Sequence, residues 1–129
     1  MREATQADLI RRVEDYFRDV DRFDTDAILA HLTAACVLEV VNHGSVQEGL
    51  EAIRATYERR AKRVKKSWHG DFQHTVDTQA WRVATRLTVR RIDADGSAVE
   101  VHNLTLFQFE QSGIQRISIW MSGDNTLGG

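Results

Sequence analysis

Phe72, His74 and Val76 alternate along an extended segment, which sets an imidazole on a strand face with two apolar side chains. Histidine has the ordinary pKa closest to neutral pH, so His74 is a candidate general base. A histidine satisfied by a backbone or hydroxyl group would have the same sequence signature. Tyr16 lies on the inner stripe of a helix and can donate its hydroxyl to a carbonyl or to a developing enolate oxygen; a core tyrosine reaching water looks alike. Asn103 and Thr105 interrupt an apolar strand face, and a buried amide needs a partner, either a ligand or a neighbouring backbone group. His74, Tyr16 and Asn103 form the candidate catalytic set. Val40, Asn42, His43, Tyr57, Trp81, Thr85, Thr105 and Met121 are the candidate substrate contacts, with His43 at the pocket mouth or in an exposed turn.

Other chemistries fit less well. In HGDFQH, two histidines and a carboxylate invite a metal reading, but His69 and Asp71 share a strand face that His74 leaves unless a bulge intervenes. No metal site is therefore expected. Cys36 begins a buried strand with no histidine nearby in sequence, so inert packing is expected. Gly44, Gly49 and Gly70 match no nucleotide-binding fingerprint.

The elements that must position these residues fall into two halves. Thr5 and Asp8 open a first helix carrying Leu9, Ile10, Val13, Tyr16, Phe17 and Val20 at three- and four-residue spacing. Asp24 caps a short second helix through Leu32, followed by a β-branched strand at residues 36–41. Gly44 breaks that strand. Ser45 and Glu48 form a capping box for a third helix with Leu50, Ile53, Tyr57, Ala61 and Val64 on its stripe, and the basic run at residues 62–66 is mostly its terminus. Four strands follow, at residues 72–78, 81–92, 98–110 and 114–121. A turn at DADGS pairs Asp93 with Ser97 and sets Arg90 opposite Glu100. Trp81, Val83, Thr85, Leu87 and Val89 then share an inner face with Val99, Val101, Asn103, Thr105, Phe107 and Phe109, joined by Ile117, Ile119 and Met121. Residues 77–80 offer no turn chemistry between two expected strands.

A chain of 129 residues with 42% apolar content suits one domain, taken as residues 1–129. A formal charge of −2 argues against nucleic-acid binding, which needs a net basic face. One cysteine permits no internal disulfide and suits a reducing cytoplasm. No charged and apolar leader stands near the start and no apolar run approaches ~18 residues, so neither export nor membrane spanning is expected.

The order helix, helix, strand, helix, then four strands resembles the NTF2-like superfamily, and within it the SnoaL-like and ketosteroid-isomerase-like proteins. The likeness rests on DYFRDVDRFDTDAILAHLTAACVLEV, GSVQEGLEAIRATY and LTLFQFEQSGIQRISIWMSGDNTL. It implies an α+β cone, with three helices packed on a strongly curved mixed sheet. Against the ketosteroid isomerase pattern, Tyr16 falls at the oxyanion-hole tyrosine and Asn125 near a C-terminal asparagine. The two essential acids are replaced by Val40 and Thr105, neither of which does an aspartate's work. The resemblance therefore implies a cofactor-independent acid/base enzyme of another type: an isomerase, cyclase or dehydratase acting on a small hydrophobic carbonyl or polyketide-like molecule. A non-catalytic ligand-binding or dimeric adaptor module is the alternative. Leu104, Leu106 and Trp120 point away from the helices beside Arg82, Arg86 and Arg90, so a homodimer through this convex face is expected.

Overall fold

The computed structural model describes residues 4–128, so residues 1–3 and 129 of the expected domain lie outside the described residues. Helix α1 (Gln6–Asp21) starts where the Thr5 hydroxyl accepts a hydrogen bond from the Asp8 N–H at 3.1 Å. Its stripe buries Leu9, Val13, Tyr16, Phe17 and Val20, and each large apolar side chain removed from water contributes about 1.5–3 kcal/mol. Helix α2 (Thr25–Ala30) is capped by the Asp24 side chain. It stops before Leu32, which already opens strand β1 (Leu32–Val40).

Two corrections follow in the middle of the chain. After a 3-10 turn at Val41–His43, residues Ser45–Glu48 form strand β2 instead of a helix start, pairing antiparallel with Val37–Val40 of β1. Ladder bonds to β1 satisfy the backbone groups that a capping box would have served. Gly49 then turns the chain at φ 85°, a conformation suited to glycine, into helix α3 (Leu50–Arg63). The basic run is divided: Lys62 and Arg63 close α3, whereas Val64, Lys65 and Lys66 open strand β3 (Val64–Asp77), which begins well before residue 72.

Strands β4 (Arg82–Asp93), β5 (Ala98–Glu110) and β6 (Gly113–Met121) complete a six-stranded sheet of order β2-β1-β6-β5-β4-β3, in which only β1 and β6 are parallel neighbours. The β4–β5 register is the expected one: Arg90 faces Glu100, and Asp93 donates to the Ser97 carbonyl at 2.9 Å. Val83, Thr85, Leu87 and Val89 pair with Phe107, Thr105, Asn103 and Val101 on the inner face. The β3–β4 turn has its chemistry in Asp77, whose side chain accepts from the N–H groups of Gln79 and Ala80, both at 3.0 Å.

One irregularity governs the site. Gly70 pairs with Thr88 but Gln73 with Arg86, so β3 carries one extra residue, and Asp71 sits there at φ 51°. Such a bulge shifts the alternation by one. Ser67 and His69 lie opposite Arg91 and Val89, while His74 and Val76 lie opposite Thr85 and Val83, so all four share the helix-facing side. Further irregularities in the β1–β6 and β5–β6 pairings add to the bending, and the three helices pack across the concave side of an open, curved sheet. The expected α+β cone is the observed fold. Among the described residues no helix is long and apolar enough to cross a membrane.

Candidate active site

The cone encloses a narrow cavity of about 40 Å³. Leu87, Val89, Val101, Ile117, Ile119 and Met121 supply its apolar sheet wall, and Leu127 closes on it from the C-terminal segment. Polar groups enter through Tyr16, Tyr57, Arg60, His69, Arg91, Asn103, Thr105 and Asp124.

Asp21 and His69 form the central pair. His69 Nδ1 donates to Asp21 Oδ1 at 2.6 Å, and the His69 backbone N–H donates to Oδ2 at 2.8 Å. Ser67 adds a hydroxyl bond to Oδ1 at 2.7 Å and accepts from Arg60 Nη2 at 2.9 Å. Burial pushes the Asp21 carboxyl upward, but the bonds and charge of His69, with Ser67, outweigh it and hold Asp21 below its ordinary value. Burial is also the largest influence on His69; with the charge of Arg60 it pulls the imidazole below its ordinary 6.5, against the raising effect of Asp21. At neutral pH His69 is therefore uncharged. With the proton on Nδ1, its lone pair sits on Nε2, which makes no hydrogen bond to the described residues. The ring is stacked on Phe17 at 4.9 Å between centroids, and Phe17 in turn on Phe72 at 5.5 Å, which fixes the imidazole plane.

The second polar feature is a hydrogen bond between the hydroxyls of Tyr16 and Tyr57. Burial raises both pKa values, that of Tyr57 to about 12, so both remain hydroxyl donors. One hydroxyl donates to the other, leaving a proton free for a ligand oxygen. Edge contacts of the Tyr16 ring with Phe17 and Phe107 hold it in place.

Of the residues singled out in the sequence, Tyr16, Tyr57, Asn103, Thr105 and Met121 line this cavity. Asn103 Oδ1 accepts from the Ser122 N–H at 3.3 Å. His74 does not join them. It faces the helices, but Thr85 Oγ1 lies 2.8 Å from its Nδ1 and Glu14 Oε2 2.8 Å from its Nε2, so both ring nitrogens are occupied outside the cavity. The expectation of one cavity shared by His74, Tyr16 and Asn103 is thus corrected. Thr85 is fully buried beneath His74, Val40 is core, and Trp81 is buried away from the cavity walls. Asn42 bonds both backbone groups of Met121, at 2.7 and 3.0 Å, and His43 Nε2 donates to the Gly123 carbonyl at 3.0 Å. These two residues tie the C-terminal segment to the 3-10 turn rather than lining the cavity. Burial pushes the Cys36 thiol up to about 12, in keeping with packing.

Asp21, Arg60, Ser67 and Arg91 were not legible as site residues, and His69 was weighed only as a metal ligand. Two signals were available. Asp21 is an acid in the last turn of a helix, where the macrodipole disfavours it unless it has a partner. Gly70 within a strand pattern marks a bulge, and a bulge brings His69 inward.

The SnoaL-like domain family model matches residues 13–117, and the chain belongs to that family. Among solved structures, it is similar to a candidate polyketide cyclase of Xanthomonas campestris pv. campestris, with 20% identity and a TM-score of 0.81 over 91% of this chain and 92% of that one. It is also similar to an LEH-like epoxide hydrolase of M. tuberculosis, at 20% identity, TM-score 0.76, and 90% and 84% coverage. The BvnE pinacolase of Penicillium brevicompactum matches at 16% identity, TM-score 0.79, and 91% and 84% coverage. These likenesses establish the fold. No curated protein sequence matches the chain.

Proposed function

We propose that the protein is a cofactor-independent acid/base enzyme, an isomerase, cyclase or dehydratase acting on a small hydrophobic carbonyl or polyketide-like substrate. The observation that carries this reading is the Asp21–His69 pair, whose imidazole, with no hydrogen bond at Nε2 among the described residues, lines the same cavity as the hydrogen-bonded Tyr16 and Tyr57. His69 Nε2 removes a proton from the carbon beside a carbonyl, and the electron pair moves onto the carbonyl oxygen. The tyrosine pair, helped by Asn103, donates to that oxygen as it gains charge. His69 then returns the proton to another carbon, to the alkoxide formed by ring closure, or to a departing hydroxyl, giving isomerisation, cyclisation or dehydration. The base role first assigned to His74 passes to His69, and a positioned base is worth about 10²–10⁴-fold in rate. The polyketide cyclase, epoxide hydrolase and pinacolase likenesses support a reaction of this kind.

The test is proton exchange. Incubating the protein in deuterated water with apolar 1,3-dicarbonyl compounds should show accelerated deuteration of the acidic carbon by NMR. His69→Ala should slow it by about 10²-fold or more, and Tyr16→Phe by about 10²-fold. Exchange no faster than buffer across such compounds would sink the reading.

We further propose a cytoplasmic homodimer through the convex face. Leu104 sits directly opposite Trp120 across β5 and β6, and the two are 45% and 37% exposed. Leu106 adjoins them, and Arg82, Arg86, and the Arg90–Glu100 pair at 2.8 Å supply a charged rim.

A further inference from the structure

Arg60 is the cavity group that proton transfer does not use. It is 4% exposed, and burial lowers its pKa. Nevertheless no carboxylate of the described residues forms an ion pair with it. Nη2 donates to Ser67, while Nε and Nη1 make no hydrogen bond to the described residues and keep contact with open space beside the cavity that Arg60 lines. Asp21 is reached only through the Ser67 hydroxyl, and its oxygens already accept three bonds. A second guanidinium, Arg91, is 7% exposed and lines the same cavity, but its Nε is committed to Asp93 at 2.7 Å. Burying a guanidinium without a direct counter-ion is costly, so the open edge of Arg60 calls for acceptors that a ligand brings. A neutral carbonyl offers one acceptor atom and no charge. A carboxylate offers two oxygens in a plane that matches the guanidinium fork, with the opposite charge.

We propose that the natural ligand is an apolar molecule bearing a carboxylate, which docks on the open edge of Arg60 while its body packs against Leu87, Ile117 and Ile119. This rests on the reading of the same cavity as the active site, where the carboxylate is the anchor that presents the reacting carbon to His69. It separates the substrate class from neutral ketones and esters.

Calorimetric titration of 2-naphthoate and the isosteric 2-naphthamide tests the anchor without an activity assay. The wild-type protein should bind the acid at least about tenfold more tightly than the amide. Arg60→Gln should bring the two affinities within about twofold, with the larger loss on the acid, and Arg60→Lys, which keeps the charge but loses the fork, should fall between. If the glutamine variant does not fold, a wild-type preference that drops at least about threefold in the lysine variant decides in favour. Equal affinities in the wild type, no binding of either compound, or a preference untouched in a folded Arg60 variant would overturn the proposal. Acid preference without deuterium exchange would leave the anchor standing and remove the catalytic reading; exchange without acid preference would do the reverse.

Discussion

Glu14 and Asp21 lie two helical turns apart on α1, and each holds one histidine of β3: Glu14 accepts from His74 Nε2 at 2.8 Å and Asp21 from His69 Nδ1 at 2.6 Å. Seven residues return a helix to nearly the same face, so one side of α1 reaches both imidazoles. The outcomes differ. Thr85 engages the second nitrogen of His74, whereas the second nitrogen of His69 makes no hydrogen bond to the described residues, and His69 lines the cavity. One histidine is a strut between helix and sheet, and the other keeps a ring nitrogen without a hydrogen bond among the described residues.

The pH dependence should follow from the His69–Asp21 pair. The folded-state pKa of His69 lies below 6.5, so the imidazole stays a base, and exchange should hold its rate, as pH falls through that value. The unfolded chain takes up the His69 proton at 6.5 while the folded chain does not, so this contribution to stability is complete above 6.5 and is lost as pH falls from there toward the folded value. Asp21 is also depressed; its contribution is present above 3.8 and is lost as pH falls through its folded value. Urea midpoints from about pH 8 to 3 should show two losses, the first absent in His69→Asn and the second reduced in Asp21→Asn. A wild-type midpoint unchanged between about pH 7 and 5 would contradict the His69 assignment.

Replacing His74 by alanine should cost stability rather than turnover. It removes partners from Glu14 and from Thr85, whose side chain is fully buried, and an unsatisfied buried hydroxyl costs about 1–3 kcal/mol. Chemical denaturation should record a loss of that size, with deuterium exchange within about threefold of wild type under conditions where the variant is folded. Abolished exchange in a folded His74→Ala protein would return the base to His74.

Trp120 supplies the test of assembly. Trp120→Asp places a charge at the centre of the convex apolar patch, where Leu104 faces it across the strands. Sedimentation should show a dimer for the wild type at micromolar concentration and a monomer, or an insoluble chain, for the variant. A monomeric wild type would leave the patch without this explanation.

Local rules made most of the fold legible. The α1 stripe follows from helical spacing, and the β4–β5 register follows from Asp95-Gly96, which placed Asn103, Thr105, Phe107 and Phe109 on the inner face. Two misreadings came from short segments whose local preference lost to pairing. Ser45–Glu48 carries a capping-box pattern, yet β1 offers it a ladder. Residues 64–66 read as the end of the third helix, yet β4 is long enough to pair with this segment back to Val64. The site was less legible because Asp21, Arg60 and His69 meet only after that pairing, and alternation counted without the bulge turns His69 outward.

The bulge at Gly70–Phe72 acts like a frameshift written into the backbone. Just before it, odd-numbered Ser67 and His69 face the interior; after it, even-numbered His74 and Val76 do. Losing Asp71 would put Ser67 to Val76 in a single frame. With the second half of the strand held by the Asp77 turn, the first half would rotate, sending Ser67 and His69 to the convex face and bringing Lys66 and Trp68 toward Asp21. The length of this strand therefore specifies its chemistry: one residue decides whether the cone presents an imidazole or an indole to the same carboxylate.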